Sequence, residues 1–291
     1  MPVTGNWQLE TGNKNIMFAL TQHFPHKRAF ITGAASGLGK ALSLHLAKDG
    51  WTIGISDVNT EGLKDTHQKI EQAGGKPISF QLDVSDKEAY KQVATEFLKQ
   101  AGGIDLLVNN AGVGDGGNFE EYPLENWEWM VRINQMSVVY GCHLFIPTFK
   151  KQQSGHILNI ASLAAVSCAP QMGAYNMTKA AVVAISETLY GELMDDHIGV
   201  SCAMPSYFQT NIAESVRGGD RVKKITQVFI KKSNLQADDV AKEILERTGK
   251  RELYIVLPKM ARKLWLFKRL MPTRLRKMVK EKYMQAIGRI Q

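Results

Sequence analysis

The run Arg28-Ala29-Phe30-Ile31-Thr32 passes directly into Gly33-Ala34-Ala35-Ser36-Gly37-Leu38-Gly39, and a helical pattern from Lys40 to Lys48 follows. A β-rich run that enters a helix through three glycines leaves few folds open. Glycines there let the chain turn sharply, let backbone N–H groups approach an anion, and let the helix lie close on its strand. Such a turn needs no ligand on its own account, so context decides. The context is repetitive: β-rich runs recur at Trp51 to Ser56, Ile78 to Leu82, Ile104 to Val108, His156 to Ile160, Val200 to Ala203 and Leu253 to Val256, with helical patterns between them. This alternation predicts an α/β fold with a doubly wound parallel sheet in a single domain, residues 28–258. Asp57-Val58-Asn59 precedes a predicted helix from Thr60 to Ala73 that Gly74-Gly75 closes. Pro205 to about Leu235 lacks clear periodicity and carries Gly218-Gly219, the pattern of a lid.

The chain has 291 residues, enough to bury a substantial core. Its net charge of +8 is unevenly placed: from Lys259 onward there are 11 Lys and Arg against Glu281, so the body is near neutral, with 25 basic and 27 acidic residues. A neutral body argues against nucleic acid, which requires a basic face. Cys142, Cys168 and Cys202 have neither C-x-x-C nor zinc-finger spacing. An odd count of unpatterned thiols predicts a reducing, cytoplasmic setting and no structural metal. Residues 1–27 read as an extension with a short apolar patch from Ile16 to Leu20, unlike a signal peptide, and no window approaches a membrane span.

At the end of the second run stands Asp57, where a carboxylate can accept both hydroxyls of an adenosine ribose and would repel a 2′-phosphate. Ser36 in the glycine turn, with Val58 and Asn59 after Asp57, offers no cation. These residues favour NAD over NADP. The competing role for Asp57 is to cap the following helix. Further along, Tyr175 and Lys179 stand four residues apart in a helix-favouring segment, downstream of Ser162. Phenol and ammonium then share one helix face, and a neighbouring cation favours the phenolate.

Thr32 to Gly39, Asn109-Asn110-Ala111-Gly112, Asn134, Ser162, Tyr175 and Lys179 together resemble the short-chain dehydrogenase/reductase family, over about Arg28 to Pro258. The resemblance implies a Rossmann-like sheet and hydride transfer between a nicotinamide and an alcohol or carbonyl. Under it Gly33, Ser36, Gly37, Leu38, Gly39 and Asp57 hold the cofactor, Asp83 and Val84 border the adenine, and Asn110, Ala111 and Gly112 lie beside it. Pro205 to Thr210 cover the nicotinamide, with Thr210 at the carboxamide; Ser206 departs from the family's usual glycine. Ser162 would donate to the substrate oxygen, Tyr175 exchange its proton, and Lys179 lower the phenol pKa and hold the ribose. Asn134 would hold a water that links Lys179 to solvent.

Around the expected carbonyl stand Val113, Leu163, Ala164, Ala165, Met172, Tyr207 and Phe208, with Val228 and Phe229 in the lid. Apolar walls select an apolar, lipid-like or steroid-like substrate. The segment 259–291 reads as two basic amphipathic helices split at Pro272, which either pack on the body, cover the substrate entrance or make peripheral contact with a membrane. Apolar positions on the helices Trp127 to Phe149 and Tyr175 to Leu193 (Val138, Val139, Leu144, Val182, Val183, Ile185 and Leu189) pair, by resemblance, across a two-fold axis in a homodimer or homotetramer. Two rivals stand beside the alcohol–carbonyl reaction: a nucleotide-binding sensor or scaffold, and an aldehyde or acyl reductase.

Overall fold

The computed structural model describes residues 18–210, 212–258 and 260–288. Seven strands make one sheet: β1 (Arg28–Thr32), β2 (Thr52–Asp57), β3 (Lys76–Gln81), β4 (Leu106–Asn109), β5 (Gly155–Ile160), β6 (Ile198–Pro205) and β7 (Tyr254–Leu257). They run parallel in the order β3-β2-β1-β4-β5-β6-β7. The order reverses between β1 and β4, and a crevice for a ligand opens there, beyond the carboxyl ends of the strands.

Strand side chains alternate between two cores because the strand period is two. Ala29, Ile31, Ile53, Ile55 and Leu158 belong to one core; Phe30, Leu107, Ile157, Cys202 and Met204 belong to the other. The first is covered by α1 (Phe18–His23), α2 (Gly37–Ala47) and α3 (Thr60–Gln72), while α4 (Lys87–Ala101) covers the second. Leu20 and Phe24 are buried in the first core, so part of the predicted amino-terminal extension packs on the body. Ile16 and Met17 lie outside the described residues.

The predicted helix Trp127 to Phe149 is realised as α5 (Leu124–Val131), a wider π turn (Arg132–Met136) and α6 (Ser137–Gln152). A short α7 (Ala164–Ser167) and the 20-residue α8 (Gly173–Glu192) follow β5. Of the apolar positions assigned to an interface, Val138 and Val182 are buried within the chain; Val139, Leu144, Val183, Ile185 and Leu189 are half-buried. The segment after Pro205 is more regular than its sequence suggests. It holds a 3-10 turn (Ile212–Ser215) and α9 (Asp220–Lys231), then α10 (Ala237–Gly249) packs on α2. Beyond β7 come α11 (Ala261–Leu270) and α12 (Pro272–Gly288), divided at Pro272. Lys259 lies outside the described residues.

His156, at the sheet end away from the crevice, is buried as a neutral ring. Ser201 Oγ donates to the Glu252 carbonyl (2.7 Å), so it accepts from His156 Nε2 (2.9 Å), and Nδ1 finds no partner among the described residues. Burial pushes the imidazole pKa down to about 3. The folded value lies below the unfolded one, so stability is full above about pH 6.5 and falls as the pH drops toward 3, by up to about 1.4 kcal/mol per unit. Urea midpoints of wild type and His156→Met are expected to diverge in this sense between about pH 6.5 and 5; parallel curves would sink the assignment.

Candidate active site

The glycine turn is held by its neighbours. Gly33 has φ +66°, a left-handed conformation, and a Cβ there would sit 2.8 Å from Ala111 Cα. Thr32 Oγ1 accepts from the backbone N–H groups of Asn110 and Ala111 (both 3.0 Å), while Asn110 Nδ2 donates to the carbonyls of Thr32 (2.8 Å) and Gly33 (3.0 Å). The segment after β4 thus fixes the turn after β1 and borders the crevice. Helix α2 already begins at Gly37, earlier than the sequence pattern indicates. Gly39 does not line the cavity. A Cβ on Gly39 would collide with the Gly33 carbonyl, so this glycine serves helix–strand packing.

One cavity of about 810 Å³ contains the other predicted cofactor positions: Gly33, Ser36, Gly37, Leu38, Asp57, Asp83, Val84, Asn110, Ala111, Gly112, Pro205 and Thr210. The Asp57 carboxylate is aimed by two backbone donors, Ala35 N and Asn59 N, each at 3.0 Å. The cap of α3 is Asn59, whose Oδ1 accepts from Gly62 N. Asp57 is therefore left as a fixed negative group at the end of β2. Asp83 accepts from the Ser85 N–H (2.9 Å) and hydroxyl (2.7 Å). Despite Ser206, β6 runs regularly to Pro205, and Ser206 N continues the ladder to Leu257 O (2.9 Å). A glycine turn that opens into the N-terminus of α2, a fixed carboxylate at the β2 end and a long cavity between them suit a dinucleotide bearing ribose hydroxyls.

Ser162, Tyr175 and Lys179 line the same cavity. Ser162 lies just beyond β5, where its Oγ accepts from Ala164 N (3.1 Å). Lys179 is 4% exposed; it donates to the Ile160 carbonyl (3.0 Å), and burial brings its pKa down to about 8. It stays mainly cationic at neutral pH. Its ammonium is 5.9 Å from the centre of the Tyr175 ring. Burial pushes the Tyr175 phenol above its ordinary value, with the Ser162 hydroxyl pulling the other way. Loss of water around the phenolate is the larger of these two effects.

Asn134 sits in the π turn, fully buried, and its amide is already committed. Oδ1 accepts from Val113 N (2.8 Å); Nδ2 donates to Val113 O (2.9 Å) and faces Thr178 Oγ1 (3.3 Å). These bonds clamp the segment after β4 to α8. The widened turn is what brings the side chain there.

On the substrate side Val113, Leu163, Ala164, Met172, Tyr207, Phe208 and Phe229 line the cavity, whereas Ala165 and Val228 do not. Sequence reasoning missed Ile225 from α9; the rest of the wall comes from the tail, which was expected to cover the substrate entrance: Leu264 from α11, and Met278, Val279 and Tyr283 from α12. Three rings tie these parts together. Tyr207 stacks on Phe229 (5.1 Å between centres), and Phe229 lies parallel to Tyr283 (6.4 Å). Lys268 donates to the Ala165 carbonyl (2.7 Å), and Arg276 donates to the carbonyls of Val166 and Ser167. Both fasten the tail to the segment that follows Ser162. Asp115 was also missed. Buried, it accepts from Tyr122 Oη (2.6 Å) and Gly218 N (2.7 Å), while Arg217 lies over the Trp129 ring (3.8 Å), so the start of the lid is moored to the segment after β4. The amphipathic pattern of α9 was the available signal for the wall; the run Gly114-Asp115-Gly116-Gly117 gave none for Asp115.

Residues 27–220 match the family model described as short chain dehydrogenase. The chain belongs to the short-chain dehydrogenase family. This short-chain dehydrogenase is 36% identical over 183 residues to a Mycobacterium tuberculosis protein named "Probable oxidoreductase EphD", covering 62% of the chain and 31% of EphD. The chain thus spans about a third of that longer relative. To the 2,5-dichloro-2,5-cyclohexadiene-1,4-diol dehydrogenase LinX of Sphingobium indicum it is 35% identical over 190 residues, 65% of the chain and 76% of LinX. A short-chain dehydrogenase/reductase from Burkholderia phymatum, solved in complex with NAD, is 32% identical and superposes with a TM-score of 0.80 over 85% of this chain and 95% of its own.

Proposed function

We propose that the chain is an NAD(H)-dependent oxidoreductase that interconverts an alcohol and a carbonyl on an apolar, lipid-like or steroid-like substrate. The observation that carries this reading is one continuous cavity that joins Asp57 to Ser162, Tyr175 and Lys179 and ends against Ile225, Phe229, Leu264, Met278 and Val279. Membership of the family and the NAD bound by the Burkholderia relative support the cofactor. Bound NAD(H) supplies the hydride acceptor or donor. Ser162 orients the substrate oxygen by a hydrogen bond, Tyr175 passes a proton to or from it, and Lys179 holds positive charge beside the phenol. The apolar wall excludes water and selects carbon-rich substrates.

Cofactor choice rests on Asp57. Asp57→Ala is expected to weaken NAD binding by roughly 10- to 100-fold, the loss of charge-assisted hydrogen bonds worth about 1.5–3 kcal/mol, and to narrow the gap to NADP. Titration of both dinucleotides checks this; a wild-type protein that prefers NADP would overturn the choice. The half-buried positions on α6 and α8 support a homodimer or homotetramer, and sedimentation of a monomer at micromolar concentration would count against it. A sensor without turnover is disfavoured because such a protein has no use for a buried lysine beside a half-buried tyrosine in the cavity wall.

A further inference from the structure

We propose that the outward face of α11, continued by Met271 and the exposed cations of α12, is a docking surface for an anionic lipid bilayer. Helix α11 has two apolar sides, and only one is used by the fold. On the inward side Ala261 is buried, Leu264 lines the cavity, Trp265 packs against Tyr254 (5.1 Å) and Lys268 reaches the Ala165 carbonyl. On the outward side Leu266 is 52% exposed, Leu270 one turn later is 78% exposed, and Met271 is 42% exposed. The 100° advance per residue places Leu264 and Leu266 on nearly opposite sides of the helix, so the cavity accounts for the first and not the second.

The rim of this apolar strip is basic. Arg262, Lys263 and Arg269 flank it on α11, and Arg274, Lys277 and Lys280 are exposed on α12. None of these six forms an ion pair with a carboxylate among the described residues, and Glu281 is the single acid after Pro258 in the sequence. Arg269 is turned back over the Trp265 ring (4.0 Å). Like charges gathered without counter-charges repel one another, and a negative surface relieves that repulsion. A bilayer satisfies both halves of the face: its headgroups take the cations and its acyl boundary takes Leu266, Leu270 and Met271. Nucleic acid offers nothing to the apolar strip. No helix among the described residues is long and apolar enough to cross a membrane, so the contact is peripheral. The docking does not depend on which reaction the cavity supports.

The test is co-sedimentation of the full-length protein with vesicles of phosphatidylcholine alone or with one-third phosphatidylserine. Binding is expected to the anionic vesicles at about 0.1 M salt and to fall about tenfold or more at about 1 M, as the screening length shrinks from about 10 to about 3 Å. Arg262→Ser with Lys263→Ser should weaken binding by about 25-fold, at roughly fivefold for each cation. Leu266→Glu with Leu270→Glu should lower it by at least about tenfold; Lys64→Ser, on α3, should leave it unchanged. Cofactor binding by every variant checks that it is folded. A folded wild-type protein that ignores anionic vesicles at low salt overturns the proposal, as does binding indifferent to both pairs of substitutions. If the leucine pair instead dissociates an oligomer, a second copy occupies the face and the lipid assignment falls.

Discussion

Replacing Tyr175 by Phe is expected to leave cofactor affinity within about twofold and to lower kcat by about a thousandfold, a loss of roughly 4 kcal/mol of transition-state stabilisation. The ring keeps its place on α8, half-buried in the cavity wall, so packing changes little. What disappears is the hydroxyl that shares the Ser162 side of the cavity and can move a proton. Burial pushes that phenol up, so the unassisted protein holds it as the acid at neutral pH, suited to protonating the oxygen of a carbonyl. Fluorescence titration of NADH and initial rates on a panel of ketones, aldehydes and alcohols separate binding from chemistry. Undiminished turnover in Tyr175→Phe would remove the catalytic assignment and leave the sensor.

Ending the chain after Pro258 is expected to raise KM for long-chain substrates by about a hundredfold and to leave short ones within a few-fold. The deletion removes Leu264, Met278, Val279 and Tyr283 from the cavity wall. At about 0.8 kcal/mol per methylene, four methylenes that lose their cover account for roughly 3 kcal/mol. The dinucleotide end is built from β1, β2, β4 and the turns after them, and the hydrogen bonds that shape it involve no tail residue among the described residues, so NAD affinity should hold. A chain-length series with intact and truncated protein reads the effect. Equal loss on short and long substrates would point instead to the fastening of α7 by Lys268 and Arg276. No change on either would mean that substrates do not reach the tail.

The sequence by itself determined the order of strands and helices, because the alternation that puts Phe30 in one core and Ile31 in the other is written residue by residue. It also marked the cofactor end through the glycine turn and Asp57, although the bonds that hold them, Asn110 to Thr32 and Gly33 and Ala35 N to Asp57, join segments distant in the chain. Tertiary structure alone decided the rest. Asn134 was legible as a candidate, yet its clamp on Val113 arises from a π turn that no residue pattern announces. The lid looked irregular because α9 buries its apolar face against Tyr207 and α12, partners distant in the chain. Asp115 was invisible for the same reason, and the tail was legible as a cover for the substrate entrance but not in the individual contacts that α11 and α12 make. Local propensity reports what a segment can form, whereas burial, and the pKa it imposes on Tyr175 and Lys179, depends on what distant segments bring against it.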